Sequence, residues 1–145
     1  MLGMALKLLV AFSGGVAAAL QATLASLMGQ RVGLMASVLI IHIGGTLLAA
    51  VLLLGQGGSN IAQWRTVPWY ALGAGTLGVG ILSAINYAIP RLGVGTTITL
   101  FVAAQLTVGA IVDHFGFFGT NIRPFDMVRT LGVTSLLFGT WLMVR

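Results

Sequence analysis

The chain has 145 residues, of which 58% are hydrophobic and only 6% charged, with 21 glycines and a mean hydropathy of +1.06. A soluble domain carries roughly 25% charged residues because its surface must face water, so these figures exclude a water-soluble globule and imply a polytopic α-helical membrane protein. The net charge of +5 does not indicate nucleic acid either: Lys7, Arg31, Arg65, Arg91, Arg123, Arg129 and Arg145 are scattered among the polar breaks instead of clustered as a phosphate-binding stripe, and read as headgroup anchors.

The first span is expected at about residues 4–28, closed by Gly29-Gln30-Arg31. The opening sequence MLGMALKLLVAFSGGVAAALQA has features of a secretory leader, but its basic region is weak and the apolar run continues to Leu27, so a retained transmembrane helix is expected. Gly14, Gly15 and the neighbouring alanines let another backbone approach closely, and Gln21 is its one strongly polar residue at depth. The second span, about 32–54, carries His42, Gly44 and Gly45 near its middle. A loop of about a dozen residues follows, bracketed by Trp64 and by Trp69-Tyr70, where an interfacial aromatic belt belongs.

The third span is expected at about 67–89, with Pro68 at its start. Gly73, Gly75, Gly78 and Gly80 spell a G-x-G-x-x-G-x-G pattern that resembles a dinucleotide site, but no strand precedes it, and small residues at a helix crossing account for it. Asn86 lies one turn before the break at Pro90-Arg91. The fourth span, about 93–115, places Gln105, Gly109 and Asp113 four residues apart, so they climb one helical face that lipid would not welcome. The fifth, about 125–144, opens on Pro124 and Asp126, an acid at the positive end of the helix dipole. The expectation is an all-α fold: one five-helix transmembrane domain over residues 1–145.

Five spans put the termini on opposite faces of the bilayer. Lys7, Arg65, Arg123 and Arg129 share one face and Arg31, Arg91 and Arg145 the other, a balance that leaves orientation almost unbiased. A protein that inserts both ways can form an antiparallel homodimer, the two-chain counterpart of the inverted repeat in many transporters. The partners expected are therefore the lipid bilayer, a second copy and a small solute, with no nucleic acid.

From Arg65 onward the sequence reads RTVPWYALGAGTLGV, then YAIPRLGVGTTITLFVAAQLTVGAIVDHFGFFG, then RPFDMVRTLGVTSLLFGTWLM. This resembles the short five-helix YdcZ-like family of bacterial inner-membrane proteins, within the drug/metabolite transporter superfamily. Gln21 and Gly29 fit the family pattern at the end of the first helix, whereas Ala25 stands where an Asn is usual. The resemblance implies a multi-pass protein of the bacterial inner membrane that exports or exchanges a small solute. It also implies a five-helix unit of the kind that ten-helix relatives duplicate and invert, in agreement with the homodimer.

Ionisable groups at bilayer depth are costly and so are functional candidates. His42 is the one such group near the middle of a span; it either meets substrate or is a neutral core histidine. Gln21, His42, Asn86 and Gln105 are the candidate cavity residues, and Asp113, His114 and Arg91 the candidate gate or ion pair. Gly14, Gly15, Gly44, Gly45, Gly73, Gly75, Gly78, Gly80 and Gly109 are the candidate packing positions. The chain has no Glu, which argues against proton-coupled cation export through an embedded glutamate. With two histidines, two aspartates and no cysteine, neither hydrolytic nor metal chemistry has a basis, so no catalytic residue, metal or cofactor is expected. A transporter is the leading reading; the alternatives are a dual-topology passive channel and a non-transport scaffold or lipid-binding subunit.

Overall fold

The computed structural model describes residues 2–145, with all their side chains except those of Leu2, Ser59 and Asn60; Met1, at the head of the leader-like stretch, lies outside them. Among the described residues the elements are helices alone: α1 (Leu2–Val32), α2 (Leu34–Gly55), a 3-10 segment Ser59–Thr66, α3 (Trp69–Leu72), α4 (Ala74–Leu92), α5 (Val94–Phe115), a 3-10 turn Phe117–Gly119 and α6 (Met127–Val144). Five stretches are long and apolar enough to cross a membrane, with α3 and α4 forming one of them from Trp69 to Leu92.

Several boundaries differ from the sequence expectation for definable reasons. The first helix continues through Gly29-Gln30-Arg31 and stops at Gly33, which adopts φ 89°, ψ 155°, a conformation open in practice only to glycine. Gly93 does the same between α4 and α5 at φ 81°, ψ 163°. Pro90 lies inside α4, in its last turn; it offers no N–H to the carbonyl four residues back, and the helix ends two residues later. At the other end of that span Gly73 interrupts the helix and separates α3 from α4. Helix α6 starts at Met127 because Asp126 is its N-cap, accepting the Arg129 N–H at 2.7 Å.

The chain divides into two compact units, the first ending at Arg91 and the second beginning at Leu92. In the first, α1 and α2 form a hairpin whose interior is made of small side chains: Ala22, Ala25, Ser26, Ser37 and Val38 are buried, joined by Leu82 of α4. Among the described residues the largest fully buried side chains are Thr97, Ser26 and Ser37, while leucines, valines and phenylalanines crowd the outside. In water such a distribution would be inverted; in lipid it is the expected one, because close backbone approach replaces the hydrophobic effect as the force between helices. In the second unit α5 and α6 pack together, with the Thr96 hydroxyl donating to the Met143 carbonyl at 3.3 Å and Gly95 lying against the end of the Met143 side chain.

The two glycine corners belong to a longer correspondence. Arg31-Val32-Gly33 and Arg91-Leu92-Gly93 are each followed four residues past the glycine by a buried hydroxyl, Ser37 and Thr97, whose N–H bonds to that glycine's carbonyl at 3.1 and 3.2 Å. Before the corners, buried Ala22, Ala25 and Ser26 stand in step with buried Leu82, Ile85 and Asn86. The chain therefore uses one helix-corner-helix pattern twice.

Candidate functional site

The best-defined polar centre lies where α1, α2 and α4 meet. Asn86 of α4 is buried, and its Nδ2 donates to the Ser37 hydroxyl of α2 at 2.6 Å. The Ser37 hydroxyl in turn donates to the Leu34 carbonyl at 3.0 Å, so it is used in both directions. The flat face of the Asn86 amide rests on Gly29 of α1: a Cβ added there would stand 3.0 Å from Asn86 Cγ and Oδ1. Gly29 is thus a helical glycine whose missing side chain makes room for a polar group from another helix. The Asn86 Oδ1 and, one turn back on the same helix, the Ser83 hydroxyl are buried with no hydrogen-bond partner among the described residues.

His42 sits on the same two helices, further from the corner. Its Nδ1 lies 2.8 Å from the Val38 carbonyl, which can only accept, so Nδ1 carries the proton and Nε2 the lone pair in the neutral ring. Nε2 faces Gly78 of α4, where an added Cβ would come within 3.0 Å. Asn86 and Gly78 are two turns apart on α4, about 12 Å along its axis. Two polar side chains thus meet glycines of neighbouring helices at two depths, in a region bordered by α2 and α4.

The other candidate residues are placed differently. Gln21 and Gln105 are exposed, with no hydrogen-bond partner among the described residues. Arg91 donates to the Tyr87 carbonyl through Nη1 at 2.6 Å and lies over the Tyr87 ring at 3.7 Å, an anchoring arrangement at the end of α4. Asp113 and His114, both half-buried, hold the loop that follows α5: the Asp113 carbonyl accepts the Arg123 N–H at 2.8 Å, and His114 Nδ1 accepts the Phe125 N–H at 3.1 Å. Of the glycines marked for packing, Gly78 meets another helix; Gly14, Gly15, Gly44, Gly45, Gly75, Gly80 and Gly109 have open space above them, and Gly73 touches only the carbonyl of Tyr70 one turn earlier.

Sequence reasoning missed Gly29 and Ser37 as partners of Asn86. The available signal was the recurrence of R-x-G-x-x-x-[S/T] at both corners, which marks Ser37 and Thr97 as equivalent buried hydroxyls.

The structure defines the class: a multi-pass α-helical membrane protein with small residues inside its helix pairs and hydrogen-bonding groups at span depth. Residues 6–142 match the family described as "Putative inner membrane exporter, YdcZ". The chain is also 30% identical, over 104 residues that make up 71% of it and 69% of the relative, to the Inner membrane protein YdcZ of Escherichia coli (strain K12). No solved structure matches it. The chain belongs to the YdcZ family of the inner membrane, and the family description supports a membrane transport role.

Proposed function

We propose that this protein moves a small solute across the inner membrane by alternating access, as an antiparallel homodimer in which each chain contributes one five-helix domain. The cavity residues are Gln21, His42, Asn86 and Gln105, drawn from both copies of the pair, and each gate sets Asp113 and His114 of one copy against Arg91 of the other, inverted copy. The observation that carries this reading is the outward placement of Gln21 and Gln105. Each is a side-chain amide on a membrane-spanning helix with no hydrogen-bond partner among the described residues of its own unit. An amide left to face hydrocarbon costs a few kcal/mol, so a second protein surface or a polar cavity must meet it. The nearly even division of basic residues between the two faces supports a partner inserted the other way up.

The natural absence of cysteine makes the test direct. A Gln105→Cys variant is expected to cross-link to a second copy in native membranes, and C-terminal reporters are expected to be active on both sides. A reporter active on one side only refutes the antiparallel arrangement. For the cavity, purified protein is screened for thermal stabilisation by a panel of small solutes. A shift that survives both Gln105→Leu and His42→Ala removes those residues from the site.

A further inference from the structure

The two histidines hold their protons on opposite nitrogens, with different consequences when a second proton binds. His42 donates from Nδ1 to the Val38 carbonyl, and an imidazolium makes the same bond, so protonation leaves that contact intact. His114 accepts at Nδ1 from the Phe125 N–H, so its neutral ring carries the proton on Nε2. A proton taken from water onto Nδ1 turns the acceptor into a donor facing a donor, and the bond is lost.

We propose that His114 is a proton-operated latch on the loop between α5 and α6: neutral, it holds Phe125 and the start of α6 against the end of α5; protonated, it releases them. The neighbouring geometry makes this bond a closing point. Gly116 turns the chain with φ 66°, its Cα side packed so closely by Ile122 that an added Cβ would lie 2.7 Å from Cγ1. The His114 ring meets Phe115 edge-on at 4.7 Å and is tilted against Phe125 at 5.4 Å, so it joins Phe125 to the aromatic residue at the end of α5. The titratable and charged groups in its surroundings are Asp113 beside it on α5, Arg123 in the loop, and Asp126 and Arg129 at the start of α6. Asp113 contributes its backbone carbonyl, Asp126 caps the Arg129 N–H, and Arg129 donates from Nη1 to the Arg123 carbonyl at 3.0 Å. Of these contacts, the His114 bond alone is both made by a titrating atom and placed between α5 and the loop. Because the acceptor atom of this bond is the one that takes the added proton, the latch opens on acidification. As the means by which protons couple to solute movement it rests on the transporter reading; as a latch it does not.

The test uses the full chain in lipid with a nitroxide at Asn121→Cys in the loop. The mobile population is expected to rise about fivefold or more between pH 8 and pH 5, the weight of one lost hydrogen bond. In His114→Asn the amide oxygen stands the same number of bonds from Cα as Nδ1, accepts the Phe125 N–H and does not titrate, so the loop stays ordered at both pH values. In His114→Leu it is mobile at both. Asp126→Asn keeps the wild-type pH response. A response that persists in His114→Asn, or is absent from the parent, overturns the latch. Nitrogen-15 shifts of the His114 ring give a variant-free reading: an unprotonated Nδ1 at pH 8 supports the latch and a protonated one overturns it. Loop titration without solute flux in proteoliposomes leaves the latch standing and counts against the transporter; flux with a silent loop does the reverse.

Discussion

Replacing Gly29 by alanine puts a methyl group where the Asn86 amide now lies. The added Cβ would be 3.0 Å from Asn86 Cγ and Oδ1 and 3.3 Å from Nδ2, so the amide must retreat by several tenths of an ångström. It cannot retreat freely, because Nδ2 is bonded to the buried Ser37 hydroxyl at 2.6 Å. The overpacking costs about 1–3 kcal/mol, of which an interhelical hydrogen bond in a membrane accounts for about 0.6–1.7 kcal/mol. Against this, alanine is favoured over glycine inside a helix by about 0.5–1 kcal/mol. In an Asn86→Ala background the obstruction is gone and only the favourable contribution remains. Gly29→Ala is therefore expected to destabilise the native chain and to stabilise the Asn86→Ala chain, with a coupling of about 1–3 kcal/mol in the double-mutant cycle. Reversible unfolding in mixed micelles, followed by circular dichroism, gives the four free energies. Equal effects of Gly29→Ala in both backgrounds would refute the account of Asn86 as a clamp seated on a glycine.

The corners and the last helix give further expectations. Gly33→Ala and Gly93→Ala each force a side chain into the positive-φ conformation at 89° and 81°, and each is expected to cost about 1–3 kcal/mol in the same unfolding assay. An open-space glycine such as Gly44 provides the control, where alanine is tolerated or stabilising. Asp126→Ala removes the cap of α6 at a cost of about 1 kcal/mol, whereas Asp126→Ser retains most of it; amide exchange of Arg129, whose N–H the carboxylate accepts, reports the difference.

The five spans were legible because hydropathy over some twenty residues is a signal that tertiary context seldom reverses. Their ends were less so. Gly29-Gln30-Arg31 looks like a break, yet polar residues at a membrane surface do not stop a helix unless the backbone is also turned, and Gly33 does the turning. Likewise Pro90 reads as a helix breaker, yet α4 runs two residues past it and it is Gly93 that turns the chain. For the candidate site, polarity at depth singled out Asn86 and His42 as cavity residues, and the structure bonds them to the Ser37 hydroxyl and the Val38 carbonyl. The identity of those partners was hidden, since Ser37 lies 49 positions from Asn86 and a glycine announces space without saying what fills it.

The one-residue corner at Gly33 has a mechanical consequence within the first unit. A single residue gives α1 and α2 no slack to slide past each other, whereas α2 reaches α3 across the longer connection of residues 56–68. The unit is thus stitched like a seam at the corner and left like a loose hem at the long connection, and splaying is easiest at the hem.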